Sequence, residues 1–362
     1  MLDGIRIVEF EGLGPAPFAA MTLADLGADV IVIHRKGGPP NPGQPDRSLL
    51  DRGKRSIELN LKDQDDYETA QRIVAGCDAL IEGFRPGVME KLGLGPETCH
   101  ARNPSLVYGR MTGWGQDGPL ASAAGHDLNY IGLSGALWYG SAPGEAPLSP
   151  ATLVGDIGGG AMYLVSGILA GLLKARVSGS GTVVDAAIYD GSAHMMNLLM
   201  SLRQSGNLSE MRGESLLDGP HWSRTYHCSD GGYVSVQCLE PKFYQQFLSH
   251  LGLEEDAEFA RQFDRALWPR LTQRLSAIFD QHSRAHWTEM FEGSDACVAP
   301  VLSPIEARDH AMNQHRQVWR ETEGALQAAP APRFDGQTTI PQPAPQRGEH
   351  SEEIRAQFPA TP

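Results

Sequence analysis

Two short segments carry residue types that can move a proton to and from carbon. Gly125-His126-Asp127-Leu128-Asn129-Tyr130 offers an imidazole, and Val154-Gly155-Asp156-Ile157-Gly158-Gly159-Gly160 offers a carboxylate. With ordinary pKa values of ~6.5 for His and ~3.9 for Asp, one group can take a proton from a carbon while the other returns one to the opposite face. Each stands before a helical pattern. Leu128, Ile131, Leu133 and Leu137 follow His126, so His126 or Asp127 should cap that helix. Residues 161–173, a run without charge, follow Asp156. Asp is a preferred N-cap because its carboxylate accepts from free N–H groups. Helix N-termini also stabilise anions, of which a developing enolate oxygen is one. Three consecutive glycines in a helix cost roughly 1 kcal/mol each against Ala. Gly158 to Gly160 therefore suggest that a ligand or a second backbone passes close. A purely structural Asp cap and a satisfied buried His are the plainer alternatives, and spacing alone does not show that the segments meet.

The chain has 362 residues, above the ~250–300 at which single cores stop growing, so two domains are expected. A formal charge of −14 argues against a nucleic-acid or anionic-membrane surface. It also requires a local basic site for any polyanionic ligand. The five cysteines are scattered, odd in number and without a CxxC. That pattern fits a reducing compartment and no disulfide framework or zinc site. Met1-Leu2-Asp3-Gly4 leads straight into a strand pattern, and Ala360-Thr361-Pro362 is neither a peroxisomal nor a lipidation signal. The apolar run at 161–173 is shorter than the ~20 residues of a bilayer span. A cytoplasmic protein with no membrane or nucleic-acid partner is expected.

The elements that must position the two segments read as α/β. Ile5-Arg6-Ile7-Val8 and Val30-Ile31-Val32-Ile33 are buried strands around a helix over 17–27, a βαβ unit with parallel strands. Gly12-Leu13-Gly14-Pro15 is glycine-rich but is not GxGxxG, and Pro15 removes one N–H from any phosphate cradle, so a nicotinamide enzyme is disfavoured. Ala79-Leu80-Ile81-Glu82 and residues 106–111 continue the strands, and 182–187 adds another. Arg35 follows the second strand and Arg85 the third, where ligands of open α/β sheets bind. The basic stretch at 51–62, including Leu59, Asn60, Leu61 and Lys62, is either a solvated loop or part of that crevice. A phosphorylated, partly apolar ligand is the natural inference. The methionines at 195–200 and Met211 are core filler or an adaptable apolar surface. A hairpin over 225–237 and a helical face of Leu267, Leu271, Leu275, Ile278 and Phe279 mark a smaller α+β domain at 223–317. Residues 330–345, rich in Pro and Ala, read as a wrapping segment.

Several of these segments resemble one family. Gly12-Leu13-Gly14-Pro15-Ala16-Pro17-Phe18, Arg52-Gly53-Lys54-Arg55-Ser56 and Gly113-Trp114-Gly115-Gln116 are similar to family III CoA-transferases in general. Gly125-His126-Asp127-Leu128-Asn129-Tyr130 resembles the α-methylacyl-CoA racemases within that group, whose transferases lack the His. Leu216-Leu217-Asp218-Gly219, Leu239-Glu240-Pro241-Lys242-Phe243-Tyr244, the segment at 294–302 and the tail at 348–353 are also similar to racemase segments. The resemblance implies a large Rossmann-like CoA-binding domain made from both chain ends (1–190 and 318–362), a connection at 191–222 and the small domain, in an interlocked homodimer. It implies that His126 and Asp156 are the catalytic pair, with Glu240 beside His126. It places Arg35, Leu59, Asn60, Leu61, Lys62, Arg85, Gly125, Asp127, Leu128, Asn129 and Tyr130 around the CoA thioester, the Asp127 N–H facing the enolate oxygen. Thr152, where racemases commonly have Asn, and residues 220–224 depart from the pattern and bear on acyl preference.

The implied reaction is racemisation at C2 of a 2-methyl-branched acyl-CoA, with no metal and no cofactor beyond the CoA of the substrate. One alternative is a CoA transferase in which Asp156 is the nucleophile. A non-catalytic CoA-thioester binding protein is the other.

Overall fold

The computed structural model describes residues 1–38 and 47–360. Thr361 and Pro362, considered above for targeting, lie outside the described residues. The chain forms two compact units. The first comprises Met1–Leu137, Ser149–Met196 and Gln314–Pro362; the second comprises Trp138–Leu148 and Asn197–Asn313.

The first unit is built on a six-stranded parallel sheet: β1 Arg6–Phe10, β2 Asp29–Arg35, β3 Arg55–Leu59, β4 Ala79–Glu82, β5 Val107–Thr112 and β6 Thr182–Ala187. The spatial order is β3-β2-β1-β4-β5-β6, a doubly wound sheet that reverses between β1 and β4. Its helices are α1 Pro15–Asp25, α2 Gln64–Ala75, α3 Val88–Lys91, α4 Pro96–Arg102, α5 Asp127–Ser134, α6 Met162–Ser178 and α7 Ile188–Met195. Both faces are covered, as near-continuous apolar strands require. Ile7, Val30, Ile81 and Val107 pack with Leu23 of α1 and Leu164 and Ile168 of α6. Val8, Ile31, Ile57, Leu80 and Tyr108 form the other core with Ile73 of α2 and with Ile354 and Phe358 of the chain end.

β3 was not foreseen as a strand, because its flank carries so much charge. The bases are instead paired inside the fold. Lys54, with no exposed side-chain surface, meets Glu9 at 2.5 Å. Arg52 meets Asp25 at 2.5 Å and Arg55 meets Asp29 at 2.7 Å. Charges as poorly hydrated as those of Lys54 and Arg52 persist only when paired.

α6 is preceded by a π-helical segment, Leu153–Ala161. Together, Leu153–Ser178 is a 26-residue helix whose length and mean hydropathy of 1.5 would suffice for a membrane span. The π-helical turns lengthen the apolar run beyond the sequence expectation. Its inner face lies on the sheet: Gly171 lets the helix approach Val107 of β5, and Gly167 does the same at Val184 of β6.

The second unit holds an antiparallel sheet of β7 Ser223–His227, β8 Tyr233–Gln237 and β9 Val298–Val301. Helices Pro241–His250, Trp268–Phe279 and Arg284–Phe291 close a core of Trp222, Tyr226, Phe247, Phe259 and Phe279. β9 was unforeseen. Residues 138–148, expected in the large domain, belong to this unit. The Trp138 indole donates to the Glu210 carbonyl at 2.9 Å, the Tyr139 hydroxyl to that of Ser209 at 2.9 Å, and Arg212 to those of Gly140 and Glu145. The helix Asn197–Gln204, expected within a connection, is part of this unit as well.

The chain returns to the first unit with a ribbon of β10 Trp319–Thr322 and β11 Ala325–Ala328 and ends in the helix Ser351–Gln357. Phe358 fills the space left by Gly76, where a Cβ would stand 2.7 Å from its ring. Phe358→Ala should cost about 3 kcal/mol of unfolding free energy in a urea titration; a loss under about 0.5 kcal/mol would show that the chain end is not part of the core.

Candidate active site

The carboxyl ends of β4 and β5 open on a cavity of about 290 Å³ lined by Arg85, Thr112, Gly113, Trp114, Gly125, His126 and Tyr130, among others. Tyr130 is its wall. The ring meets Trp114 edge to face at 4.8 Å, and the hydroxyl donates to the Gly125 carbonyl, fixing the turn that delivers His126. His126 is exposed and occupies the N-cap position of α5 in extended conformation. Its backbone N–H donates to Asn129 Oδ1 at 3.0 Å.

Asp127 ties this helix start to the second segment. It is 6% exposed. Its Oδ1 accepts the backbone N–H of Asp156 at 2.9 Å, and its Oδ2 is buried with no hydrogen-bond partner. Only glycine fits opposite, since a Cβ on Gly155 would lie 2.3 Å from Asp127 Oδ1.

Asp156 does not cap a helix, as had been expected. It lies inside the π-helical segment, a conformation that is rare and frequent at functional sites. Thr152 opens that segment at φ 61°, ψ −13°, a left-handed conformation unfavourable for a β-branched residue. The Asp156 carboxyl reaches the loop after β1: a methyl group built on Gly14 would stand 3.9 Å from its Oδ2. It thus lies beside the first half of the β1/β4 switch point.

The glycines at 158–160 lie against α7: Gly159 meets its backbone, and Gly158 and Gly160 meet the Met195 and Ile188 side chains. Gly159 and Gly191 of α7 approach so closely that a Cβ on Gly191 would lie 1.8 Å from the Gly159 carbonyl oxygen.

Burial, then the negative charge of Asp127, push the Asp156 carboxyl up to about 6, against the opposing pull of His126. The carboxyl is therefore poised between acid and base near neutrality. Tyr130 is pushed up by burial and by Asp156, with Arg85 opposing. His126, Asp127, Tyr130, Asp156 and Arg85 thus form one electrostatic neighbourhood.

The other candidates are more dispersed. Arg35 is exposed at the end of β2. Leu59 is 1% exposed and its side chain belongs to the core, which leaves only its backbone at the surface of any ligand. Asn60 and Lys62 are exposed and Leu61 is half-buried. The Asn60 N–H donates to Asp66 at 2.8 Å. Leu128, at 47%, and Asn129 are exposed on α5. Glu240 belongs to the second unit, where its carbonyl accepts from Phe243 and Tyr244 at the start of a helix. Among the described residues no three His, Cys, Asp or Glu side chains gather as metal ligands do. The Asp127 side chain was missed as a structural link, because sequence pointed only to its capping and backbone roles. The π-helical geometry has no sequence signature.

The pattern of CoA-transferase family III matches residues 2–351. The chain belongs to CoA-transferase family III. It is 38% identical to the alpha-methylacyl-CoA racemase of Mus musculus and 38% identical to that of Homo sapiens, in each case over 99% of this chain and 93% of the relative. A probable fatty acyl-CoA transferase of Mycobacterium tuberculosis is 30% identical over 84% of both chains. Among solved structures, a CAIB/BAIF family protein from Brucella suis superposes with a TM-score of 0.83 at 28% identity, covering 99% of each chain. The resemblance to racemases read from the motifs therefore extends along the whole sequence.

Asp127→Asn keeps an acceptor for the Asp156 N–H and removes the charge. The Asp156 carboxyl should then titrate below its present value of about 6 in a ¹³C NMR titration. An unchanged midpoint would mean that burial alone sets it. Gly155→Ala should break the link and lower stability by roughly 1–3 kcal/mol in urea.

Proposed function

We propose that the enzyme is an isomerase that inverts C2 of 2-methylacyl-CoA thioesters by two-base proton transfer. The carrying observation is that the Asp127 side chain ties the start of α5, where His126 stands, to the Asp156 backbone, and that Asp156 is held near 6. Abstraction of an α-proton from a thioester is feasible only if the enolate oxygen is stabilised. Preorganised N–H donors do this without reorganisation, each worth about 2.7–4 kcal/mol. The Asp127 N–H stands in the first turn of α5, where helical amides have no partner within the helix. Neutral His126 removes the proton from one enantiomer while protonated Asp156 delivers one to the opposite face. The reverse reaction exchanges these roles. The thioester supplies the activation, so no cofactor beyond the CoA of the substrate is required. Arg35, Lys62 and Arg85 provide local positive charge for its phosphates in an otherwise acidic cytoplasmic protein.

Two copies are proposed to pair. Leu173, Val177 and Val183, at 69%, 91% and 44% exposure, supply apolar surface along α6 and β6 that supports this.

A transferase reading would use ionised Asp156 as the nucleophile. That mechanism has no use for His126.

A single 2-methylacyl-CoA enantiomer incubated in deuterated water with no acceptor acid should gain deuterium at C2 while its configuration is lost. His126→Ala and Asp156→Ala should each reduce this by about 10²–10⁴-fold. No label at C2, with CoA passing to an added acceptor acid, would instead establish transfer. Because Asp156 ionises above about 6, kcat/KM for the enantiomer it deprotonates should fall as pH drops through that value. For the enantiomer it reprotonates, kcat/KM should fall as pH rises through it. Identical pH profiles for both enantiomers would count against the assignment.

A further inference from the structure

Beyond the catalytic pair, one guanidinium from the chain end reaches the carboxyl ends of three neighbouring strands. Arg347 donates to both carboxylate oxygens of Glu11, at 2.5 and 3.1 Å, just after β1. It donates to the Arg35 carbonyl at 3.2 Å, at the end of β2. Its Nε stands 3.7 Å from Glu58 of β3. Glu11 in turn accepts the backbone N–H of Arg35 at 2.9 Å. Both peptide groups of Arg35 are therefore pinned by one ion pair, whose members are 336 residues apart and each only 15% exposed. His34 approaches Glu11 from the neighbouring position at 3.4 Å. The Arg35 side chain itself is exposed, its stem running over Gly38.

A paired Arg and Glu could merely fasten the chain end. Several other contacts already do so, however: His350 N–H to the Ser56 carbonyl, Gly348 N–H to Ser56 Oγ, Arg55 to Glu353 and Phe358 in the core. What Arg347 adds is a planar fork aimed at the backbone that carries Arg35. A fork bound bidentately to a carboxylate fixes orientation as well as charge.

We infer that Arg347, through Glu11, is a positioning residue for the nucleotide end of the acyl-CoA site, setting where the Arg35 guanidinium meets a phosphate. This rests on the acyl-CoA reading above. It predicts that the chain end matters for recognition of the nucleotide half of the substrate and not for the proton transfer.

The test compares Arg347→Met, Arg347→Lys and Glu353→Gln. The last loosens the same chain end at Arg55, at the opposite end of β3. The probes are CoA itself, measured by calorimetry, and two substrates with one acyl group, an acyl-CoA and the corresponding acyl-pantetheine, which lacks the nucleotide. Arg347→Met should weaken CoA binding and raise the KM for acyl-CoA by about tenfold or more, with kcat within about threefold. Arg347→Lys, which keeps charge without the fork, should fall in between. With acyl-pantetheine the variants and parent should coincide, and Glu353→Gln should match the parent throughout. Equal CoA affinity in parent and Arg347→Met overturns the inference. So does a Glu353→Gln defect as large as that of Arg347→Met, or a fall in kcat with both substrates. If Arg347→Met does not fold, Glu11→Gln, which keeps an acceptor for the Arg35 N–H but removes the charge, must show the same nucleotide-dependent loss. A parent protein that does not bind CoA would refute the acyl-CoA reading itself, a result separable from failure of the brace.

Discussion

The site depends on keeping two carboxyl groups close together in a poorly hydrated place. Asp127 and Asp156 would repel if both were ionised, and the fold does not separate them. The Asp127 carboxylate is seated against the Asp156 backbone, with Gly155 making the space and the π-helical turn presenting the N–H. Burial first, and then the Asp127 charge, make ionisation of Asp156 costly, and His126 partly offsets this. The surroundings of Asp156 raise its affinity for a proton, which is the property the proposed two-base reaction needs.

Everything else in the first unit aligns with that requirement. The reversal of the sheet between β1 and β4 opens a crevice at the strand ends. The loop after β1 brings Gly14 under Asp156, and the loops after β4 and β5 bring Arg85 and the Trp114–Tyr130 wall around His126. The close approach of π-helical segment and α7, glycine against glycine, anchors the strained turn that starts at Thr152. Strain of this kind persists only where neighbouring packing over-determines the backbone.

Much of this was legible in the residues, and the failures have physical reasons. Parallel strands with buried apolar runs announced themselves at β1, β2, β4 and β5. β3 did not, because Arg52, Lys54 and Arg55 look like solvent-facing charge until their partners Asp25, Glu9 and Asp29 are known, and those partners are remote in sequence. The segment at 138–148 follows α5 in the chain but is bound by hydrogen bonds to residues around 209–212, a choice that no local pattern encodes. His126 and Asp156 could be named as chemistry-bearing residues. That the Asp127 side chain would join them could not, since a carboxylate at a helix start ordinarily serves its own helix. The Gly158–Gly160 run was rightly suspected of a close approach, and the approaching group turned out to be α7.

One scaffold can support both acyl transfer and racemisation, and the environment of a single carboxyl separates them. A nucleophile attacking a thioester must be ionised, so a transferase gains from donors and positive charge around its Asp. An acid that reprotonates an enolate must hold its proton, so a racemase gains from burial and a neighbouring anion. In this chain the nearest charged influence on Asp156 after burial is another carboxylate, and the imidazole beside it can accept the proton that Asp156 does not. That arrangement suits the proposed proton exchange at carbon, in which Asp156 must hold a proton for part of the cycle.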